Sequence, residues 1–119
     1  ANLTYTQILL DQEKFEKAEA ILADILKRSG EIAFYKFQVR SLYVSVLEQL
    51  GRFDKAKEQA DLLVAMSSEK MKPKMLLVQA RVVLASGKVA EGKKILQQIL
   101  EKHGQSAEAQ RARAIKAAW

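Results

Sequence analysis

Side chains able to do chemistry are sparse in this 119-residue chain. His103 is the single histidine, it stands beside Gly104, and the sequence has no cysteine. A metal site or a nucleophile–base pair needs more partners than that. A lone histidine at a helix end could sense pH, but its expected role is to complement the helix dipole. Glu13, Glu16 and Glu19 alternate with Lys14 and Lys17. That spacing gives a solvated helix face whose ion pairs are worth only about 0.2–0.5 kcal/mol each. Acid–base catalysis by paired carboxylates needs a cleft that separates their pKa values. No glycine-rich phosphate loop is present, since Gly87-Lys88 stands alone. The expectation is a chain with no catalytic residue, no metal and no cofactor.

Charge offers the next chemistry. The net charge is +6, and it is unevenly placed. Residues 1–59 hold nine basic and nine acidic side chains, whereas residues 60–119 hold eleven and five. The basic run comprises Lys70, Lys72, Lys74, Arg81, Lys88, Lys93, Lys94, Lys102, Arg111, Arg113 and Lys116. Nucleic acid or an anionic membrane surface would suit such a half. No aromatics interleave it for base stacking, because every aromatic except Trp119 precedes residue 54. Attraction of an acidic protein partner is the better use of the charge, and nucleic-acid binding is kept as a lesser alternative.

The elements that must position these groups read as helices. Ala, Leu, Lys, Glu and Gln abound and there is a single Pro. Leu3 to Gln12 carries an apolar stripe, followed by a polar corner at 11–14. Phe15 opens a second helix with Ala18, Ile21, Leu22, Ile25 and Leu26 at helical spacing, and Gly30 is placed to cap it. Ala33 to Leu50 is apolar on most sides, which predicts an inner helix. Gly51-Arg52 turns into a fourth helix that Phe53 and Asp54 open, with Asp54 expected to cap it. Pro73 fits the first turn of a fifth helix ending at Gly87. Val89 opens the sixth, Gly104 ends it, and Ser106 caps a seventh in which Trp119 should pack on Ile115. Gly92 is predicted where two helices approach most closely.

A phrase repeats along this order. Phe15-Glu16-Lys17-Ala18 returns as Phe53-Asp54-Lys55-Ala56 and, weakened, as Val89-Ala90-Glu91-Gly92, at spacings of 38 and 36 residues. Repeats of this length mean stacked helical hairpins, which commonly serve as surfaces for holding other proteins. The first unit reads Asn2, Tyr5-Thr6, Leu9, then Ala18 and Leu22. The second reads Arg40, Tyr43-Val44, Leu47, then Ala56 and Ala60. The third reads Leu76, Gln79-Ala80, Val83, then Gly92 and Leu96. The small residue of the second helix is kept each time. This organisation resembles the tetratricopeptide repeat, without that family's leading Trp and closing Pro and with periods two to four residues too long.

The resemblance implies an all-α fold, a right-handed superhelical array of about three hairpins (about 1–30, 31–68 and 69–104) with a terminal helix at 105–119, in a single domain. It also implies a non-catalytic module that binds a peptide or helix of a protein partner in a concave groove, in an adaptor or complex-assembly role. Carried over by position, the groove comprises Gln7 with Leu3 and Asp11, then Gln38, Ser41, Ser45 and Gln49, then Lys74, Leu77, Arg81 and Leu84. Leu3, Gln7, Ser41 and Ser45 cannot form the Lys/Asn clamp with which one subgroup grips chaperone tails. The structural alternative is a scaffold that self-associates through its ends or through Phe34 and Tyr35. No apolar run approaches the roughly 20 residues that cross a bilayer, and no signal-peptide pattern is evident. The chain opens directly in a helix and reads as a piece of a longer protein. Cytosol and periplasm are both compatible with a sequence lacking Cys.

Overall fold

Three turns set the architecture. In a computed structural model describing residues 3–28 and 33–119, with side chains for 6–27 and 37–119, seven helices follow in order. They are α1 (Leu3–Asp11), α2 (Phe15–Arg28), α3 (Ala33–Gln49), α4 (Phe53–Met66), α5 (Lys72–Ala85), α6 (Val89–Lys102) and α7 (Ala107–Ala118). No strand occurs among the described residues. The repeated phrase opens α2, α4 and α6, so Phe15, Phe53 and Val89 are each the first residue of a helix.

Each turn before those helices has the same hydrogen bonds. The amide of Lys14 donates to Leu9 O at 2.8 Å, that of Arg52 to Leu47 O at 2.9 Å, and that of Lys88 to Val83 O at 3.2 Å. One residue earlier, Glu13, Gly51 and Gly87 donate to Leu10, Glu48 and Leu84 at 3.0, 3.1 and 3.0 Å. This is the Schellman termination, which needs a left-handed residue just past the helix. Gly51 and Gly87 take it at φ 73° and 92°, and Glu13 takes it at φ 58°. The polar corner expected at 11–14 is therefore the same joint, built with a residue that resists it. Lys14, Arg52 and Lys88 then accept the first bonds of the next helices, from Ala18, Ala56 and Gly92.

The other termini differ. Ser106 accepts from the Ala109 amide at 3.2 Å and caps α7 as expected. Pro73 lies in the first turn of α5. Asp54 is the second residue of α4, an acid in the first turn rather than at the cap. Gly104 serves by its lack of a side chain, since a Cβ there would stand 2.8 Å from Leu100 O. Gly30 lies outside the described residues. Trp119 is 54% exposed, against the expectation that it packs down.

The chain divides into two compact units, Ala1–Gln59 and Ala60–Trp119, with the boundary inside α4. In the first, Leu9 of α1, Ala18, Leu22 and Ile25 of α2, and Val39 and Val46 of α3 form one buried cluster. In the second, Leu76, Ala80 and Leu84 of α5 pack with Leu96 and Ile99 of α6 and Ala109 and Ala112 of α7. A Cβ at Gly92 would lie 2.5 Å from Leu84 Cδ2, so a glycine here permits the close approach of α5 and α6.

Candidate interaction surfaces

Burial of α3 leaves one stripe to solvent. Val39, Val44, Val46 and Leu47 are buried and Leu42, Tyr43 and Leu50 half-buried. The remaining face carries Gln38, Ser41, Ser45 and Gln49, spaced so that they align along a helix. Gln38, Ser45 and Gln49 are exposed and Ser41 is half-buried. Ser41 Oγ donates to Phe37 O at 3.0 Å and Ser45 Oγ to Ser41 O at 3.4 Å. Both hydroxyl protons thus turn back on their own helix. The outward donors of this stripe are the two glutamine amides.

The matching stripe on α5 has another chemistry. Lys74 and Arg81 are exposed, with Leu77 and Val78 half-buried between them. Leu77 also packs on the α5–α6–α7 core. Leu84, expected in the site, is 3% exposed and wedged against Gly92, so it belongs to the core. Its place on the stripe is taken by exposed Ala85. The 36-residue offset carries Gln38, Ser41, Ser45 and Gln49 onto Lys74, Leu77, Arg81 and Ala85. Strict use of that offset would have found Ala85. On α1, Gln7 is exposed and its amide donates to Asp11 Oδ1 at 3.2 Å. The side chains of Leu3, Phe34 and Tyr35 lie outside those described, and the self-association expected of Phe34 and Tyr35 with them.

Electrostatics separate the units further. In the first, the Arg52 guanidinium pairs with Glu19, and its Nη2 lies 3.5 Å from Glu16 Oε1. The hydrogen bond that Arg52 donates to Glu19, then the Glu19 charge, holds the Arg52 pKa above its usual value. Burial raises the Tyr43 hydroxyl above its usual value, with the Glu19 charge adding to it and Arg52 opposing. Arg40 donates through Nη1 to Gln59 Oε1, while its Nε is buried without a hydrogen-bond partner among the described residues. Desolvation accordingly lowers the Arg40 pKa. In the second unit, Gln79, at the repeat position of Tyr43, donates to Asp61 Oδ1 at 2.8 Å, and Lys116 Nζ to Gln97 Oε1 at 2.5 Å.

Among the described residues no group of three or more His, Asp or Glu is placed to hold a metal ion. No described helix is long and apolar enough to cross a membrane. No family model matches the sequence, and comparison with curated proteins finds no match.

Proposed function

We propose that this chain is a non-catalytic protein-interaction module with an adaptor or complex-assembly role. In this reading its hairpins are tetratricopeptide-like units of a right-handed array, and the first helix of each hairpin offers its solvent stripe to a partner segment. One observation carries the reading: the solvent stripes of α3 and α5 fall at the same repeat positions. Residues that leave the core in step, in successive copies of one repeat, are a property of the repeat rather than scattered polarity. The α3 stripe supplies uncharged amides for a partner's backbone. The α5 stripe supplies two cations, with aliphatic carbon between them. A peptide or helix bearing acidic and apolar side chains fits both.

The test is affinity capture from nuclease-treated lysate with the wild type beside Lys74→Glu/Arg81→Glu. Both positions are exposed, so the variant keeps the wild-type circular dichroism. A protein enriched by the wild type alone supports the stripe. Equal enrichment by both proteins moves the site elsewhere.

A further inference from the structure

We infer that α7 extends the surface proposed above, with Arg111 as its third cation, and that α5 and α7 together hold an acidic amphipathic helix of a protein partner. This rests on the reading that α5 offers its solvent stripe to a partner segment. Within residues 60–119 one hydrogen bond occurs twice. Gln79 of α5 donates to Asp61 of α4 at 2.8 Å, and Lys116 of α7 donates to Gln97 of α6 at 2.5 Å. Asp61 and Gln97 are 36 residues apart, and Gln79 and Lys116 are 37 apart. So α7 is set on α6 as α5 is set on α4.

That bond fixes the register of α7. Shifting α5 by 37 residues places Met75 on Ala112, both buried, and Val78 on Ile115, both half-buried. The α5 stripe of Lys74, Leu77 and Arg81 then falls on Arg111, Ala114 and Ala118, and all three α7 residues are exposed. Two helices set alike on their predecessors turn the same face the same way. α5 and α7 touch one another within the core that holds Ala80, Ala109 and Ala112, so their stripes adjoin.

The charges name the occupant. α5 and α7 carry six Lys or Arg residues against the one acid Glu108, whereas α6 carries three cations and two acids. The excess of positive charge therefore lies on the two helices that share the stripe. Lys74 and Arg81 stand two turns apart, about 10.5 Å along the axis, with Leu77 between them. A helix laid along α5 meets them with carboxylates seven residues apart, and meets Leu77, Ala85 and Ala114 with the aliphatic side chains between. Arg111 answers a further carboxylate on the side of α7. Single-stranded nucleic acid would need aromatic faces on the same stripe. The one aromatic of this half, Trp119, falls at the register position of buried Val82, off the stripe.

Fluorescence anisotropy of a labelled helical peptide tests the inference, the peptide having glutamates seven residues apart and leucines between them. A single-stranded RNA oligonucleotide of the same charge is the second probe. The variants are Arg111→Glu, Arg113→Glu and Lys74→Glu/Arg81→Glu, each checked by circular dichroism. Arg113→Glu makes the same charge change on the same helix, but Arg113 falls at the position of Leu76, which packs towards α6 and lies off the stripe. The expected result is peptide binding that Arg111→Glu weakens about tenfold and Arg113→Glu less than about twofold. Equal losses from the two overturn the inference, because the charge then acts as a diffuse field. A loss from Lys74→Glu/Arg81→Glu without one from Arg111→Glu keeps the α5 stripe and overturns the share of α7 in it. Peptide binding that no variant alters overturns both. No binding up to about 1 mM overturns the acidic helix and returns the α5 stripe to the capture experiment. Tighter binding of the RNA than of the peptide overturns the inference in favour of nucleic acid.

Discussion

The two units follow one plan and hold it with different chemistry. Residues 1–59 balance their charges and contain every aromatic except Trp119. Between their helices runs a polar seam of Arg52, Glu16, Glu19 and Tyr43, with Arg40 on Gln59 nearby. Residues 60–119 hold the entire net charge, and their core consists of aliphatic and small side chains. There the helices close on Gly92, Ala80, Ala109 and Ala112. The hairpin is therefore specified by its turn and by the register of its buried positions, and many side-chain sets satisfy those two constraints. What differs between the units is tolerance: one resists crowding poorly, the other resists titration poorly.

The sharpest way to separate the units is Gly92→Val. A Cβ here would stand 2.5 Å from Leu84 Cδ2, so the buried Leu84 side chain must shift to admit it, and overpacking of this kind costs about 1–3 kcal/mol. Amide hydrogen exchange should show faster opening through α5 and α6 with residues 6–27 unchanged. Acceleration spread evenly over both units would mean that they unfold as one and would erase the comparison.

A smaller effect of opposite sign is expected at the first turn. Glu13→Gly replaces a residue held at φ 58° by the one that adopts it freely. We expect a gain of about 1 kcal/mol, less whatever the extra freedom of the unfolded glycine removes. Urea denaturation should place the gain in the first unit. A loss would mean that the Glu13 side chain has a contact worth more than its strain.

The smallest effect is alkaline. Tyr43 has a folded pKa above its unfolded value near 10, mainly through burial. A group raised in this way contributes stability that is present below the unfolded pKa and is lost as pH rises through the folded one. The first unit should therefore weaken above about pH 10, and Tyr43→Phe should flatten that slope. All three tyrosines precede residue 60, so the second unit has no tyrosine to add to this slope. A pH profile unchanged by Tyr43→Phe would remove titration from the contrast.

Most helix boundaries were legible because glycines and the repeated phrase mark them. Gly51, Gly87 and Pro73 are residues whose backbone restricts what they can be doing. The first turn was not legible as a copy of the others. Glu13 is a poor left-handed residue, and only the recurring hydrogen bonds show that it substitutes for glycine. Of the candidate surface, the α3 stripe could be read from polarity alone, since Gln and Ser interrupt an apolar helix. On α5 polarity misled: Leu77 and Leu84 look alike in sequence, and whether Leu84 faces outward depends on the absent side chain of Gly92 across from it. On α4 the spacing of Ala56, Ala60 and Leu63 sets Leu63 on the buried side, where it is fully enclosed, and leaves its neighbour Leu62 exposed.

The joint between helices is made of backbone bonds over six residues, and that has a consequence for how the chain folds. A turn that closes on itself needs nothing from distant sequence, so loop-closure entropy adds little to the barrier. Hairpins of such local contacts fold on the microsecond to millisecond scale. A ribosome adds roughly 5–20 residues per second, so each hairpin has time to form before the next leaves the exit tunnel. Slowing synthesis should do little for the yield of this protein. Weakening a joint, by contrast, should send the nascent chain to chaperones.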